Sequence, residues 1–154
     1  MDILDKRQLN LKCKVATRPN TFLLQCHPAN LELLYNIRID TFGSFLENSM
    51  FVVIPLKNIP LSAGHMVLLE AMYRGKIIII TDIPAVRDYV DNDMVFFYKA
   101  DDCNDLADKI EYVYLNKNDK SVQNKTSLAQ KTYFSDYCFT QLLKRIVIEK
   151  LQFE

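Results

Sequence analysis

The chain has 154 residues, a length that suits one domain and is short for two. Nineteen basic residues balance nineteen acidic ones, so the composition gives no support to a general nucleic-acid binder. Four scattered cysteines without a C-x-x-C pair, together with two His residues, argue against a zinc cluster and favour a reducing compartment. With no signal-peptide pattern and no apolar run long enough for a bilayer, we expect a soluble, cytoplasmic protein without a bound metal.

In the first third of the chain, short apolar stretches alternate with breaks. Apolar and alternating residues predict strands at 11–17, 30–35 and 50–56. A helix is predicted over 41–48 with Asp40 as its N-cap, because a carboxylate there can accept the unpaired N–H groups of the first turn. Pro55 near the end of the third strand marks where the ladder of that strand stops.

The rest of the chain alternates helices and strands. Helices are predicted at 65–73, 84–90, 104–115, 121–132 and 136–152, and strands at 77–80 and 94–98. Asp101 and Asp102 are expected to cap the helix that follows them. This alternation indicates the α/β class: one Rossmann-like domain over 1–154, with a mainly parallel sheet flanked by helices and with C-terminal helices over 121–152. In such folds, ligands bind beyond the carboxyl ends of the strands.

The stretch from residue 61 to residue 84 organises the chain. It begins with the small residues Ser62-Ala63-Gly64 and continues into the helix predicted over 65–73. Gly75 is expected to end that helix in the left-handed conformation, which glycine adopts without strain. Four consecutive isoleucines at 77–80 then predict a strand that is buried on both faces.

The start of this helix is a candidate anion site. The first N–H groups of a helix have no partner within it, and the aligned peptide dipoles make that end partly positive. Gly64 would let another molecule approach the backbone closely, which suits a phosphate. From these residues alone, the more common interpretation is that Ser62 is an N-cap and Gly64 a turn residue.

The segment SAGHMVLLEAMYRGKIIIITDIPAVRDYV, followed by MVFFY and DDCNDLADKI, resembles the C-terminal half of group 1 glycosyltransferases with the GT-B fold. The resemblance runs from about residue 15 to residue 115 and is densest over 55–90. In that family this half binds a nucleotide-sugar donor, a separate N-terminal half binds the acceptor, and the reaction occurs between them. The resemblance therefore implies hexosyl transfer to a glycan or lipid-linked acceptor, as in polysaccharide biosynthesis.

The resemblance also implies roles for individual residues. The diphosphate of the nucleotide sugar would be held by the backbone N–H groups of Gly64, His65, Met66 and Val67. Glu70 would accept hydrogen bonds from the ribose hydroxyls. Ser62 stands where many relatives have a glutamate that contacts the sugar, so it would offer a hydroxyl without a charge. The nucleotide-diphosphate sugar is the expected substrate, and no cofactor is expected.

Two parts of the family pattern are missing from this sequence. Relatives begin this half with an earlier strand and helix that carry a phosphate-clamping Arg or Lys, and Arg18 is the candidate replacement. Another chain would supply the missing strand, or the sheet closes without it, or the chain is a fragment. The acceptor-binding half would belong to the same parent chain or to a separate partner protein. A partner of this kind is compatible with peripheral contact with a membrane surface. The isolated chain should bind donor weakly and transfer sugar poorly.

Other interpretations stay open for the same residues. Glu70 and Arg74 have the i, i+4 spacing of a surface ion pair. The ring of His65 would face the phosphate or the sugar, or else only the backbone N–H of His65 would contact the ligand. Arg87 and Asp88, near the ligand-binding edge, are interpreted as an ion pair on the surface and not as ligand contacts. A non-catalytic interaction subunit that keeps the fold without binding donor is the alternative function. A dinucleotide-binding oxidoreductase is disfavoured, because no G-x-G-x-x-G follows any strand.

Overall fold

A computed structural model describes residues 4, 7, 9, 11–17, 30–57 and 64–138. The chain divides into two compact units, Met1–Phe45 and Leu46–Glu154. Each unit contains a parallel sheet, and the sheets with their flanking helices confirm the α/β, Rossmann-like class expected from the sequence. Arg18, Ser62 and most of the helix predicted over 136–152 lie outside the described residues.

The first unit contains two parallel strands, β1 (Cys13–Thr17) and β2 (Leu31–Tyr35). Lys14 and Glu32 are partners in the strand register, and their side chains form a salt bridge of 3.1 Å. Opposite charges placed across a strand pair favour this register over its neighbours. Both strands lie where the sequence predicted them, within two residues at each end.

Helix α1 (Ile39–Glu47) begins earlier than the sequence predicted. The N–H of Phe42 donates to the carbonyl of Arg38 at 2.8 Å, so the first helical hydrogen bond already ends on Arg38. Arg38 therefore occupies the N-cap position, and the prediction of Asp40 as the N-cap was wrong. Acidic residues are common both at the N-cap and in the first turn of helices, so the sequence alone does not separate these two positions.

The second unit is built on three parallel strands in the order β3-β4-β5. They are β3 (Phe51–Ile54), β4 (Ile77–Asp82) and β5 (Phe96–Lys99). Phe51 pairs with Ile77 and Ile79 pairs with Phe96, so the carboxyl ends of all three strands lie at one edge of the sheet. Strand β4 is buried from Ile77 to Thr81, which confirms the prediction of a strand covered on both faces.

Helices connect and cover these strands. They are α2 (His65–Tyr73), α3 (Pro84–Arg87), α4 (Cys103–Asn116) and α5 (Lys120–Thr132), followed by a π-helical turn (Tyr133–Tyr137). The Asp102 carboxylate accepts the N–H groups of Asn104 and Asp105, both at 3.0 Å, and caps α4 as predicted. Asp101, which was also predicted to cap, precedes the N-cap position. Asp136, where a new helix was predicted to begin, lies inside the π-helical turn. In the described part of the chain, every helix is too short or too polar to cross a bilayer.

Several further predicted boundaries differ from the structure: β3 ends at Ile54 instead of residue 56, and β4 extends to Asp82 instead of ending at residue 80. Helix α3 ends at Arg87, three residues before the predicted end. Strand β5 begins two residues later than predicted, because the N–H groups of Met94 and Val95 donate to the Asp91 carbonyl at 3.2 and 3.3 Å. Those N–H groups are used in a turn and cannot enter the sheet ladder, although both residues are apolar.

Candidate functional site

The start of α2 presents backbone N–H groups that its N-cap residue does not satisfy. Gly64 is the N-cap, with φ +86° and ψ −7°, and its carbonyl accepts the Leu68 N–H at 3.0 Å. Glycine has no side chain to accept from the following N–H groups, and the first turn has no acidic residue. The N–H groups of His65, Met66 and Val67 therefore form a partly positive helix end that Gly64 leaves uncapped.

This helix end lies beside the carboxyl end of β3. A Cβ atom on Gly64 would come within 2.5 Å of Leu56 Cδ2 and 3.4 Å of Ile54 Cγ2. Glycine is favoured here for two reasons: the positive φ strains other residues, and the Leu56 side chain would have to move to make room for a Cβ atom. The sequence analysis expected a ligand to approach the backbone of Gly64 closely. On the side of Gly64 where a Cβ would lie, the Leu56 side chain makes this close approach instead.

A buried threonine hydroxyl joins the ends of three strands at this edge. Thr81 Oγ1 accepts the Leu56 N–H at 2.8 Å, and it lies 2.8 Å from the Tyr98 hydroxyl and 3.4 Å from the Ile54 carbonyl. Thr81 is fully buried and Tyr98 is nearly so. Burial raises the pKa of the Tyr98 phenol, so this hydroxyl stays protonated at neutral pH and remains available as a hydrogen-bond donor.

The His65 ring is held by groups of the protein itself. Its Nε2 lies 3.1 Å from the Ala85 carbonyl, and its ring centroid lies 4.4 Å from that of Tyr89. Because a carbonyl only accepts, Nε2 is the donor in this contact. Nδ1 is buried and has no hydrogen-bond partner in the described part of the chain. The His65 side chain therefore links the start of α2 to α3.

Glu70 belongs to a cluster of three charged residues at the surface of α2. Arg74 Nε and Nη2 approach Glu70 Oε1 at 2.8 and 2.7 Å, and Arg74 Nη1 contacts the Glu47 carboxylate. The i, i+4 ion pair that the sequence left open is therefore present. The hydrogen bond to Glu70 raises the pKa of Arg74. Both bonds end on the same oxygen of Glu70, and the side chain of Glu70 is 37% exposed.

A family model described as "Glycosyl transferases group 1" matches residues 3–131, which is most of the chain. The chain belongs to the group 1 glycosyl transferases. The resemblance found in the loop, α2 and β4 is thereby confirmed. No curated protein matches this glycosyl transferase chain.

Solved structures show the same fold. The glycosyltransferase from Rickettsia africae superposes with a TM-score of 0.73 at 13% identity, over 94% of this chain and 40% of its own. HepE of Anabaena, solved in complex with UDP-glucose, has a TM-score of 0.64 at 18% identity, over 82% and 33%. Sucrose-phosphate synthase from Thermosynechococcus elongatus has a TM-score of 0.62 at 14% identity, over 79% and 30%. This chain thus spans between 30% and 40% of the length of these proteins.

Asp82 and Arg87 form a second polar pair of the glycosyl transferase domain, at the carboxyl end of β4. Arg87 Nε and Nη2 donate to Asp82 Oδ1 and Oδ2 at 2.8 and 2.7 Å, and the guanidinium lies 3.7 Å from the Phe97 ring centroid. These hydrogen bonds lower the pKa of Asp82. Arg87 thus pairs with Asp82 and not with its neighbour Asp88, because adjacent residues of a helix do not face each other.

The predicted site residues of the glycosyl transferase domain fall into two groups. One group lies on α2 and its N-cap: Gly64, His65, Met66, Val67 and Glu70. The Met66 side chain is 74% exposed beside the uncapped N–H groups. The other group, Ser62 and Arg18, lies outside the described residues, and their roles stay predictions.

Sequence reasoning missed the residues that support the start of α2. Leu56 was assigned only to the end of its strand, Thr81 only to the position after the strand predicted over 77–80, and Ala85 only to a helix. A signal was present at Thr81, because a polar residue that continues an all-apolar buried strand must find a hydrogen-bond partner. The identity of that partner depends on the neighbouring strand, which the local sequence does not contain.

Proposed function

We propose that this chain binds the nucleotide-diphosphate sugar donor of a group 1 glycosyl transferase and holds the diphosphate at the start of α2. The observation that carries the proposal is the end of α2 that Gly64 leaves uncapped, at the carboxyl edge of a parallel sheet, in a member of this family. Open α/β sheets bind their ligands at that edge. The UDP-glucose complex of HepE, a protein of the same fold, supports a nucleotide sugar as the ligand.

The chemistry of this helix end suits a diphosphate. The N–H groups of His65, Met66 and Val67 would donate to phosphate oxygens, and an anion at a helix N-terminus gains about 0.3–1 kcal/mol, rising to about 2 kcal/mol in partly buried sites. The same donors would stabilise the charge that develops on a leaving diphosphate. Donors that are already in position when this charge develops accelerate the transfer.

Glu70 is proposed to bind the ribose of the same donor. It follows His65 by five residues, a rise of about 8 Å along the helix, so α2 alone carries both contacts. The two Arg74 bonds hold Oε1, and we assign Oε2 to the ribose hydroxyls. A carboxylate has about four acceptor sites, so the ion pair with Arg74 and the ribose contact are compatible.

Transfer of the sugar is proposed to need a larger assembly. Because the chain spans 30% to 40% of the length of its fold neighbours, we assign the acceptor to a second half, in the same parent chain or in a partner protein. The complete enzyme would transfer a hexosyl group to a glycan or lipid-linked acceptor, in the cytoplasm or at a membrane surface reached through that partner. We assign neither a cofactor nor a metal to this chain.

Calorimetric titration with UDP-sugars and GDP-sugars tests the proposal. The wild-type chain should bind one of them, and Glu70→Ala should weaken the affinity about tenfold or more, as expected for the loss of a charged hydrogen bond. Glu47→Ala is the matched control, because it removes the other carboxylate of the same Arg74 cluster. Absence of binding by the wild type would refute donor binding, and equal losses in the two variants would refute the role of Glu70.

A second candidate function is an interaction subunit that keeps the fold and binds no donor. Two contacts favour it: Glu70 is already paired with Arg74, and the His65 ring is already paired with Ala85. Co-purification from the source with an acceptor-half protein distinguishes the two functions. If that complex binds no nucleotide sugar, the interaction subunit is the better description.

A further inference from the structure

Thr81 continues the β3–β4 pairing beyond the last pair of backbone partners. The ladder ends at Ile54 and Ile80. Pro55 follows and has no N–H to donate. The next donor, the Leu56 N–H, is accepted by Thr81 Oγ1 at 2.8 Å. A side chain therefore extends the contact between the two strands toward the carboxyl edge, where the backbone alone cannot.

The Thr81 hydroxyl is also held from two other directions. Its single proton is donated to the Tyr98 hydroxyl at 2.8 Å or to the Ile54 carbonyl at 3.4 Å. When the proton goes to Ile54, the Tyr98 hydroxyl donates to Thr81 in return. Thr81 has no exposed surface, so loss of the hydroxyl would leave buried groups without partners.

Leu56 transmits this constraint to the start of α2. Its Cδ2 atom would lie 2.5 Å from a Cβ on Gly64, so the two residues are in direct contact. Gly64 in turn forms the turn at φ +86° that sets the direction of the next N–H groups. A displacement of Leu56 would therefore change the orientation of the groups that precede and begin the helix.

We propose that Thr81 is a positioning residue of the donor site, which sets the orientation of the N–H groups after Gly64 through Leu56. The consequence for donor affinity rests on the proposed function. The coupling between Thr81, Leu56 and Gly64 involves only residues of this chain, so it can be measured without any ligand.

Thr126 provides a matched control. It is also buried, but its hydroxyl donates to the Val122 carbonyl of its own helix at 3.1 Å and, among the residues that the structure describes, joins no second element. Thr126→Val and Thr81→Val make the same chemical change in the interior of the same unit. If the role of Thr81 were merely structural, the two variants would affect the start of α2 equally.

Amide hydrogen exchange and amide chemical shifts, measured by NMR on the full chain, test the coupling. In the wild type the Leu56 amide should exchange slowly. Thr81→Val should speed this exchange about tenfold and shift the amide resonances from Gly64 to Val67, whereas Thr126→Val should do neither. Thr81→Ser keeps the hydroxyl and should restore both signals.

Two outcomes of this experiment would refute the coupling: fast exchange of the Leu56 amide in the wild type, or equal responses of the two valine variants. The first outcome does not depend on whether Thr81→Val folds, since a Leu56 amide without protection in the wild type has no partner at Thr81.

Titration with a nucleotide sugar separates this inference from the donor proposal. Thr81→Val should weaken the affinity about tenfold, whereas Thr81→Ser and Thr126→Val should retain the wild-type value. Amide responses as described, with no binding by the wild type, would refute the donor site and keep the coupling. Unchanged amides and unchanged affinity in Thr81→Val would refute the coupling and keep the donor site.

Discussion

The two ends of α2 differ in how their backbone polar groups are satisfied. At the C-terminal end, Gly75 has φ +58° and its N–H donates to the Met72 carbonyl at 3.0 Å, while the Lys76 N–H donates to the Ala71 carbonyl at 3.0 Å. These two bonds form a Schellman motif, which satisfies carbonyls of the last turn. At the N-terminal end, Gly64 also has a positive φ but contributes no cap.

This contrast separates the end of α2 whose backbone groups are satisfied within the chain from the end at which we propose that the donor binds. A closed helix end has its polar groups satisfied within the chain, whereas an uncapped end has donors that water or a ligand must satisfy. The uncapped end is nevertheless held in place by contacts from Leu56 to Gly64 and from His65 to Ala85. Fixed donors that lack a partner among residues 30–57 and 64–138 are compatible with an anion site.

Alanine at each glycine gives the largest expected difference between the two ends. Gly64→Ala should lower the free energy of unfolding by about 3 kcal/mol, because about 1–2 kcal/mol of left-handed strain adds to overpacking against Leu56. Gly75→Ala should lower it by about 1.5 kcal/mol, since the nearest group, 3.1 to 3.2 Å from the new Cβ, is the end of the long Gln130 side chain. Urea unfolding with a constant m-value measures both. Equal losses would show that Leu56 does not restrict Gly64.

The next difference concerns one side-chain hydrogen bond at each end of α2: His65 to the Ala85 carbonyl at the start, and Gln130 to the Tyr73 carbonyl at the end. His65→Phe should lower the free energy of unfolding by about 1 kcal/mol, because the part-buried Ala85 carbonyl loses its donor while the contact with Tyr89 stays. Gln130 donates to the Tyr73 carbonyl at 2.9 Å, and Gln130→Leu should change stability by less than about 0.5 kcal/mol, because water replaces this exposed bond. Chemical denaturation compares the two. A larger loss in Gln130→Leu would reverse the ranking of the ends.

The Asp82–Arg87 pair, which joins the end of β4 to the end of α3, should have the smallest effect. Asp82→Asn should lower the free energy of unfolding at neutral pH by about 0.5 kcal/mol, because the side chains of Arg87 and Asp82 are 36% and 42% exposed and water screens the pair. Since Arg87 lowers the pKa of Asp82, this contribution is present above the ordinary pKa of about 4 and is lost as the pH falls through the lowered value.

Acid unfolding checks the sign of this effect. Between about pH 5 and about pH 2, the wild type should lose more stability than Asp82→Asn, which has no carboxylate to protonate. If the wild type and Asp82→Asn show parallel pH curves, the pair contributes nothing measurable.

Local interactions made α2 and α4 predictable from sequence. The bounds of α2 and the stop at Gly75 match the prediction, because hydrophobic spacing and the conformational freedom of glycine act within one or two turns. Asp102 was predicted to cap α4 for the same reason, since its partners are two and three residues away. Asp40 failed because several adjacent residues can begin a helix, and the backbone of Arg38 does so first.

The sequence by itself determined the alternation of strands and helices, the burial of β4, the C-terminal stop of α2 and membership of the group 1 glycosyl transferases. Each of these is encoded by residue types at short spacing, so periodicity and turn chemistry are enough.

The tertiary structure alone decided what surrounds the start of α2. Thr81 meets Leu56 across 25 residues and His65 meets Ala85 across 20, and Arg87 pairs with a residue of the preceding strand. These contacts depend on the order of strands in the sheet and on where each backbone ladder ends. A hydroxyl or an imidazole has many possible partners in a sequence, and only the packed chain selects one.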